Sequence, residues 1–358
     1  MTSIGVVGET NSAMSAMSAI SAISVRGMWK VYGPKPERVV GTELADLPRK
    51  ELEAQTGNVV AMRDIDMDVA PGEVFVVMGL SGSGKSTLIR CLTRLIEPTV
   101  GSVRIGDVDV TKADKETLLD VRRNKVSMVF QHFGLLPHRS LTDNVAFGLE
   151  VRGVDRAERR RKANETLELV GLSEMGDYRP HQLSGGQQQR VGLARALATD
   201  PDILLFDEPF SALDPLIRRD MQDEVVRLRR EVNKTMVFIT HDLSEALRLG
   251  DRIAIMRDGR FVQVGTPEAV VVDPADAYVE NFVRDVPKSF VVPVEHVMRD
   301  VDSSVEFCAT VPVGTKVRDV VKMVAQSELP VQVVDVAGRQ VGCVDRVHVL
   351  SLMAGVEE

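Results

Sequence analysis

A run of apolar residues, Val74, Phe75, Val76, Val77 and Met78, passes directly into Gly-Leu-Ser-Gly-Ser-Gly-Lys-Ser-Thr at positions 79–87. Leu88, Ile89, Leu92, Leu95 and Ile96 then follow at helical spacing. This order of buried strand, glycine loop and helix constrains the chain more than any other feature. Residues 79–86 fit GxxxxGK[ST], a pattern in which successive backbone N–H groups surround phosphate oxygens and the helix N-terminus favours negative charge. Gly82 and Gly84 allow close backbone approach, and Gly79, Ser81, Ser83 and Thr87 complete the candidate nucleotide loop. Lys85 is placed for the β- and γ-phosphates, and the Ser86 hydroxyl for Mg2+.

A second element supplies carboxylates. Four apolar residues at 203–206 run into Asp207-Glu208-Pro209, so both acids emerge at the carboxyl end of a strand, where open α/β sheets bind ligands. Asp207 suits Mg2+, and Glu208 suits a water that must be oriented and deprotonated next to a γ-phosphate. The bland alternative is that Glu208 caps the turn before Pro209. Ser184, Gly185, Gly186 and Gln187 precede an apolar helix and read either as a plain N-cap or as a second phosphate-binding helix start. One chain already carries a phosphate loop, so the second reading assigns this end to another molecule's γ-phosphate and predicts a dimer.

The remaining pattern is α/β. Buried-type strands at 126–130 and 236–240 alternate with helical stretches, as in a mostly parallel sheet covered on both faces. Positions 23–32 and 59–69 alternate like half-buried antiparallel strands, and Asp258-Gly259 turns a hairpin between 252–256 and 260–264. A polar insert at 33–58 holds Pro34, Pro36 and Pro48, with a short helix expected at 48–56. Residues 1–24 read as a disordered leader or a misplaced start, because they lack the basic region that opens a secretory signal. Prolines between 267 and 293 place a domain boundary near 282–289. Beyond it, 290–358 holds an amphipathic helix at 315–325, strands at 331–336 and 340–344, and a last helix at 346–353.

With the phosphate loop at 79–87, Gln131, Leu-Ser-Gly-Gly-Gln at 183–187, the strand and acids at 203–208, Ser-Ala-Leu-Asp at 211–214, and His241 in this order, the chain resembles the ATP-binding cassette (ABC) ATPases. The resemblance implies a P-loop NTPase (RecA-like) core over 25–285, with an antiparallel β subdomain and an α-helical subdomain at about 134–198. It implies ATP and Mg2+ as ligands. Gln131 would ligate the metal and couple nucleotide to a permease. Asp214 with its loop would signal across the dimer beside the nucleotide, and His241 would contact the γ-phosphate. A lone histidine after a strand is otherwise more often structural. Tyr32 resembles the aromatic that stacks on adenine; the insert directly after it leaves Trp29 as a substitute and a core role as the plain alternative.

The insert, Arg-Leu-Ile-Glu-Pro-Thr at 94–99 and Val-Phe-Gln-His-Phe-Gly-Leu-Leu-Pro-His at 129–138 look like the ATPase subunits of glycine betaine/proline betaine importers. The tail resembles a single CBS module, with Asp345 where such modules place a ribose-binding carboxylate and 294–298 as a degenerate first strand. A nucleotide- or salt-sensing tail and a ligand-free dimerisation tail stay equally open. The partners implied are a second copy, transmembrane permease subunits and, through them, a substrate-binding protein, at the cytoplasmic face of the cell membrane.

Composition narrows the alternatives. Lys+Arg at 44 against Asp+Glu at 52 gives a net charge of -8, which disfavours nucleic acid as a partner and hence a soluble ABC protein acting on DNA or ribosomes. The basic run Arg156, Arg159, Arg160, Arg161 and Lys162 reads as the solvated face of an amphipathic helix. Cys91, Cys308 and Cys343 make neither a disulfide framework nor a zinc site, and fit a reducing compartment. No apolar run reaches the roughly 20 residues that span a bilayer, so a translocation path must come from another subunit. A methionine or polar amino-acid importer ATPase remains the alternative cargo reading, and a tail whose nucleotide sensing is the main function is a third.

Overall fold

The structure, a computed structural model, describes residues 21–131, 133–300 and 305–354. The chain divides into two compact units: the described residues up to Phe75 with Ser81–Ile239 and Asp258–Arg260, and Val76–Leu80 with Thr240–Arg257 and everything described after Phe261. The second unit therefore takes in more than the tail set off by the prolines.

In the first unit, β1 (Ile23–Tyr32) pairs antiparallel with β2 (Val59–Val69) on one side and with β4 (Val100–Ile105) on the other; β4 carries the two-residue β5 (Val108–Asp109) at the edge. Ile23, Val25, Ile65, Met67 and Val69 are buried and alternate with exposed or half-buried neighbours, the period of two that lets one sheet face meet a core. Two residues of the leader expected at 1–24, Ile23 and Ser24, belong to β1, and Ala22 N donates to Val69 O. The rest of that expectation, up to residue 20, lies outside the described residues.

β3 (Val74–Met78), β7 (Ile203–Asp207) and β8 (Thr235–Thr240) are buried along their whole length, as strands covered on both faces must be. β6 (Val126–Val129) pairs parallel with β7, and β7 with β8, so Val129, Phe206 and Phe238 stand in register. The Phe206 and Phe238 rings stack at 3.9 Å between centroids. This register brings the carboxyl ends of β7 and β8 level and sets where the acids after Phe206 emerge.

Helices follow their caps. The insert forms α1 (Arg49–Thr56), ended by Gly57 in the left-handed region, and α2 (Lys85–Leu92) follows the phosphate loop. α3 (Lys115–Asp120) runs into a wide turn, Val121–Lys125, before β6. The helical stretch then holds α4 (Leu141–Val145), α5 (Phe147–Val151), α6 (Arg156–Leu169) and α7 (Gly185–Leu197). On α6 Arg161 pairs with Glu158 and Glu165, and Lys162 with Glu158, while Arg160 reaches Asp143, so these charges already have acidic partners. α8 (Pro215–Val232) connects β7 to β8 with Asp214 as its N-cap and Pro215 at its first turn.

The second unit contains α9 (Leu243–Leu249), β9 (Arg252–Arg257) and, from Phe261 on, β10 (Arg260–Gly265), then α10 (Pro267–Val272) and α11 (Ala277–Val283). Its C-terminal part is a three-stranded sheet in the order β11 (Ala309–Pro312), β12 (Val331–Val334), β13 (Gln340–Val344), with α12 (Val317–Gln326) and α13 (Arg346–Ala354). β11 pairs parallel with β12, and β12 antiparallel with β13. Residues 294–298, expected as a degenerate strand, instead open with a helical turn, Val294–His296, after Pro293; isolated bridges flank the segment, Pro293 with Lys316 and Arg299 with Cys343 of β13.

Candidate functional site

The phosphate loop takes backbone conformations that side chains disfavour. Gly79, Gly82 and Gly84 have φ of 153°, 83° and 109°, and a Cβ on Gly82 would meet no atom within 4 Å, so the loop leaves open space where a ligand can approach the backbone. Gly84 is the N-cap of α2, which puts Lys85, Ser86 and Thr87 on the first helical turn, where N–H groups have no partner within the helix. The Ser83 hydroxyl is buried and has no hydrogen-bond partner. An orphaned buried donor inside a glycine loop at a helix start fits a phosphate oxygen as its partner.

Lys85 is 4% exposed, and its Nζ stands 3.8 Å from Glu208 Oε1. Burial pulls the ammonium's pKa down, and the carboxylates of Glu208 and then Asp207 pull it back up. Asp207, the last residue of β7, is equally buried: Oδ1 accepts from the Ser86 hydroxyl at 3.2 Å and Oδ2 from Arg90 Nη2 at 3.3 Å. A hydroxyl and a carboxylate side by side are the hard oxygen donors that Mg2+ takes, with room for phosphate oxygens and water in the remaining positions. Arg90 was not anticipated from sequence; the readable signal was its position one helical turn after Ser86.

Glu208 sits at φ 45°, in the left-handed region that non-glycine residues rarely occupy. Its N–H donates to Ile239 O at 3.1 Å, and its carbonyl accepts from the Ser211 hydroxyl at 3.0 Å. Parallel register with β8 and the Ser211 turn thus over-determine a strained backbone, the arrangement by which a fold fixes a reacting side chain.

The other predicted residues occupy helix starts and loops. Ser184 is the N-cap of α7: Gln187 N donates to its Oγ at 3.3 Å, and its own N–H donates to Gln187 Oε1 at 3.0 Å. This reciprocal capping box accounts for Ser184 and Gln187 as a structural pair and leaves the neighbouring N–H groups of Gly185 and Gly186 facing the first turn. Asp214 caps α8 by accepting from Ile217 N at 3.1 Å. Gln131 lies just past β6, half-buried, with the carbonyls of Phe133 and Gly134 tied to the Arg195 guanidinium of α7. Arg195 therefore links the helix after Ser184 to the loop of Gln131; in the sequence it showed only as a charge interrupting an apolar face. His241 follows β8 directly, in the second unit, and is exposed.

The two aromatics separate cleanly. Trp29 is 8% exposed inside a cluster with Val31, Val39, Ala45 and Leu52, which is the small core of the insert. Tyr32 is 40% exposed at the end of β1, with Lys30 Nζ 4.8 Å from its ring centroid. Only Tyr32 offers a ring to a ligand; Trp29 is withdrawn into packing.

Comparison with known proteins fits this geometry. The family described as ABC transporter matches residues 62–211. The chain is 47% identical over 330 residues to the trimethylamine N-oxide transport system ATP-binding protein of Ruegeria pomeroyi, covering 92% of this chain and 96% of that one. It is 54% identical over 270 residues to the glycine betaine transport ATP-binding protein of Bacillus subtilis, where it spans 75% of this chain and 65% of the relative's length. Identity to the glycine betaine/proline betaine transport system ATP-binding protein of Escherichia coli is 50% over 275 residues, 77% and 69% of the two chains. Among solved structures, a dimeric post-hydrolysis state of an ATP-binding cassette bound to ADP and Pi matches with TM-score 0.57 and 33% identity, over 68% of this chain and 98% of that one.

Proposed function

The chain belongs to the ABC transporter ATP-binding family, and from that premise we propose that two copies bind ATP between them, hydrolyse it, and drive import through a separate permease at the cytoplasmic face of a membrane. The observation that carries the reading is the convergence of Lys85, Ser86, Asp207 and Glu208 within hydrogen-bond or ion-pair reach of one another. The glycine loop and the Ser83 hydroxyl hold phosphate oxygens, and Lys85 balances their charge. Ser86 and Asp207 hold Mg2+, which when bound neutralises charge on the phosphates. Glu208, fixed by its strained backbone, orients a water for in-line attack and takes its proton. Gln131 joins the metal's ligands and couples it to the permease, His241 contacts the γ-phosphate, and Tyr32 stacks on adenine. Ser184, Gly185, Gly186, Gln187 and Asp214 meet the partner copy's nucleotide, a reading supported by the dimeric state of the solved cassette.

Among the described residues no helix is long and apolar enough to cross a membrane, so the transport path belongs to other subunits. A groove of about 310 Å³ in the first unit, between the α2 end, β6 and α5, exposes Leu95, Phe130, Phe147 and Val151. An apolar concavity of this kind fits a short helix of the permease, with Arg122 and Arg195 also among its lining residues. The groove borders the Gln131 loop, which gives nucleotide state a path to the permease.

The cargo is a small fully methylated amine. Glycine betaine or proline betaine is favoured by identity of 50–54% to the named importers. A second reading, trimethylamine N-oxide, is favoured by the near full-length match to its transport ATPase, tail included. The tail itself serves as a CBS-like regulatory module. Uptake by the chain co-reconstituted with the permease encoded beside it separates the cargoes: betaine uptake outcompeted weakly by trimethylamine N-oxide supports the first, the reverse order supports the second, and uptake of methionine alone overturns both.

A further inference from the structure

The insert at 33–58 is not accounted for by any step above, and its contacts lead to the phosphate loop. Asp46, just before α1, accepts from Arg63 Nη1 at 3.2 Å and from Arg260 Nη2 at 3.1 Å. Arg63 also donates to the Ala45 carbonyl at 2.6 Å. These two arginines flank one residue of the hairpin turn, Gly259: Arg63 N donates to Gly259 O at 2.9 Å, and Gly259 N donates to Ser83 O at 3.0 Å. Gly259 is thus bonded to β2 through its carbonyl oxygen and to the phosphate loop through its N–H, by the two peptide groups on either side of its Cα. Gly259 is the residue this requires, since its φ is 79° and a Cβ would press on Ala61 O and Met62 Cα at 3.0 Å. The insert's own core, Trp29, Val39, Ala45 and Leu52, holds the approach to Asp46 in place.

We propose that the insert is a brace for the phosphate loop, with Asp46 the positioning residue that clamps Arg63 and Arg260 and thereby fixes the Gly259 turn against Ser83. Two guanidinium groups this close repel each other, and burial of Arg63 sharpens the cost; the carboxylate between them offsets it. Without Asp46 the arginines separate, the turn loosens, and the loop that must present a preformed ring of N–H groups is ordered by the ligand instead, at a cost in affinity. The brace acts on binding, not on the step at Glu208. It rests on the nucleotide-binding reading for its consequence but not for its geometry.

The test compares wild type, Asp46→Asn and Asp46→Glu as full chains. Hydrogen–deuterium exchange over residues 79–87, measured without nucleotide, is expected to quicken in Asp46→Asn and to return toward wild type in Asp46→Glu, while the melting temperature hardly moves. Titration with MgADP is expected to show a Kd raised about fivefold in Asp46→Asn, the factor that about 1 kcal/mol gives, with kcat at saturating ATP kept within about twofold. Unchanged exchange at 79–87 in Asp46→Asn overturns the brace, as does an exchange increase spread evenly over the chain. A wild type that binds no MgADP contradicts the functional reading alone, because the exchange arm still decides the brace.

Discussion

Nζ of Lys85 and Oε1 of Glu208 lie 3.8 Å apart, with the lysine all but sealed from solvent. A buried cation draws phosphate strongly, because each added anion relieves the cost of burial. Lys85→Met should raise the Kd for MgADP by about tenfold or more, since charge-assisted hydrogen bonds contribute roughly 1.5–3 kcal/mol. Calorimetric titration checks it; an unchanged Kd would remove Lys85 from the site.

Trp29 and Tyr32 should fail in different ways. Trp29→Ala removes the centre of the insert's core and should cost about 3 kcal/mol of stability. Tyr32→Ala leaves packing intact and should raise the KM for ATP severalfold, with Tyr32→Phe close to wild type because the ring face does the stacking. Thermal melts beside ATPase kinetics distinguish the two; a stability loss at Tyr32 equal to that at Trp29 would contradict the assignment.

Gly186 tests the second phosphate end. A Cβ built there collides with Cγ2 of Ile217 on α8, so Gly186→Ala must push the start of α7 away from α8. If, as proposed, this end meets the partner's nucleotide, ATPase activity should fall by at least about tenfold while single-copy nucleotide binding stays within about twofold. Pairing Gly186→Ala with Ile217→Ala, which removes the colliding methyl, should restore much of the loss; no recovery would place the defect elsewhere.

Asp345 links pH to the tail. Burial alone would raise its carboxyl, but hydrogen bonds from His348 at 2.8 Å and Arg299 at 2.9 Å hold it at about 2, below the ordinary 3.8. A lowered folded-state value means the stabilisation is complete above 3.8 and is lost as pH falls from there to about 2. After discounting for solvent screening it amounts to about 1 kcal/mol. Asp345→Asn should therefore destabilise the C-terminal sheet by that amount above pH 3.8, read by exchange at β13, and the gap to wild type should close as pH falls toward about 2; profiles identical at every pH would show the pair contributes nothing.

Much of this was legible in the chain because local pattern and tertiary role coincide. The apolar runs at 74–78 and 203–206 announced a sheet covered on both faces, and Gly79 and Asp207 at their carboxyl ends stand where the proposed phosphate and metal site is built. The short helix of the insert and the hairpin at Asp258-Gly259 also stand where their turn residues put them. What escaped was long-range. Trp29 and Tyr32 share a strand, and only the packing of residues 39–52 onto one of them decides which ring is free. Arg90 and Arg195 look like ordinary helix charges until the strand end and the loop carbonyls they reach are in place. β11 was missed because four residues ending in Pro312 carry too little periodicity to separate from a loop.

Glu208→Gln in the chain reconstituted with its permease tests the central claim most directly, since it keeps the side chain's size and removes only its capacity to accept a proton. The account predicts that MgATP binding persists within about threefold while hydrolysis and methylated-amine uptake fall together by about a hundredfold or more. Hydrolysis that survives in Glu208→Gln with uptake intact would contradict it.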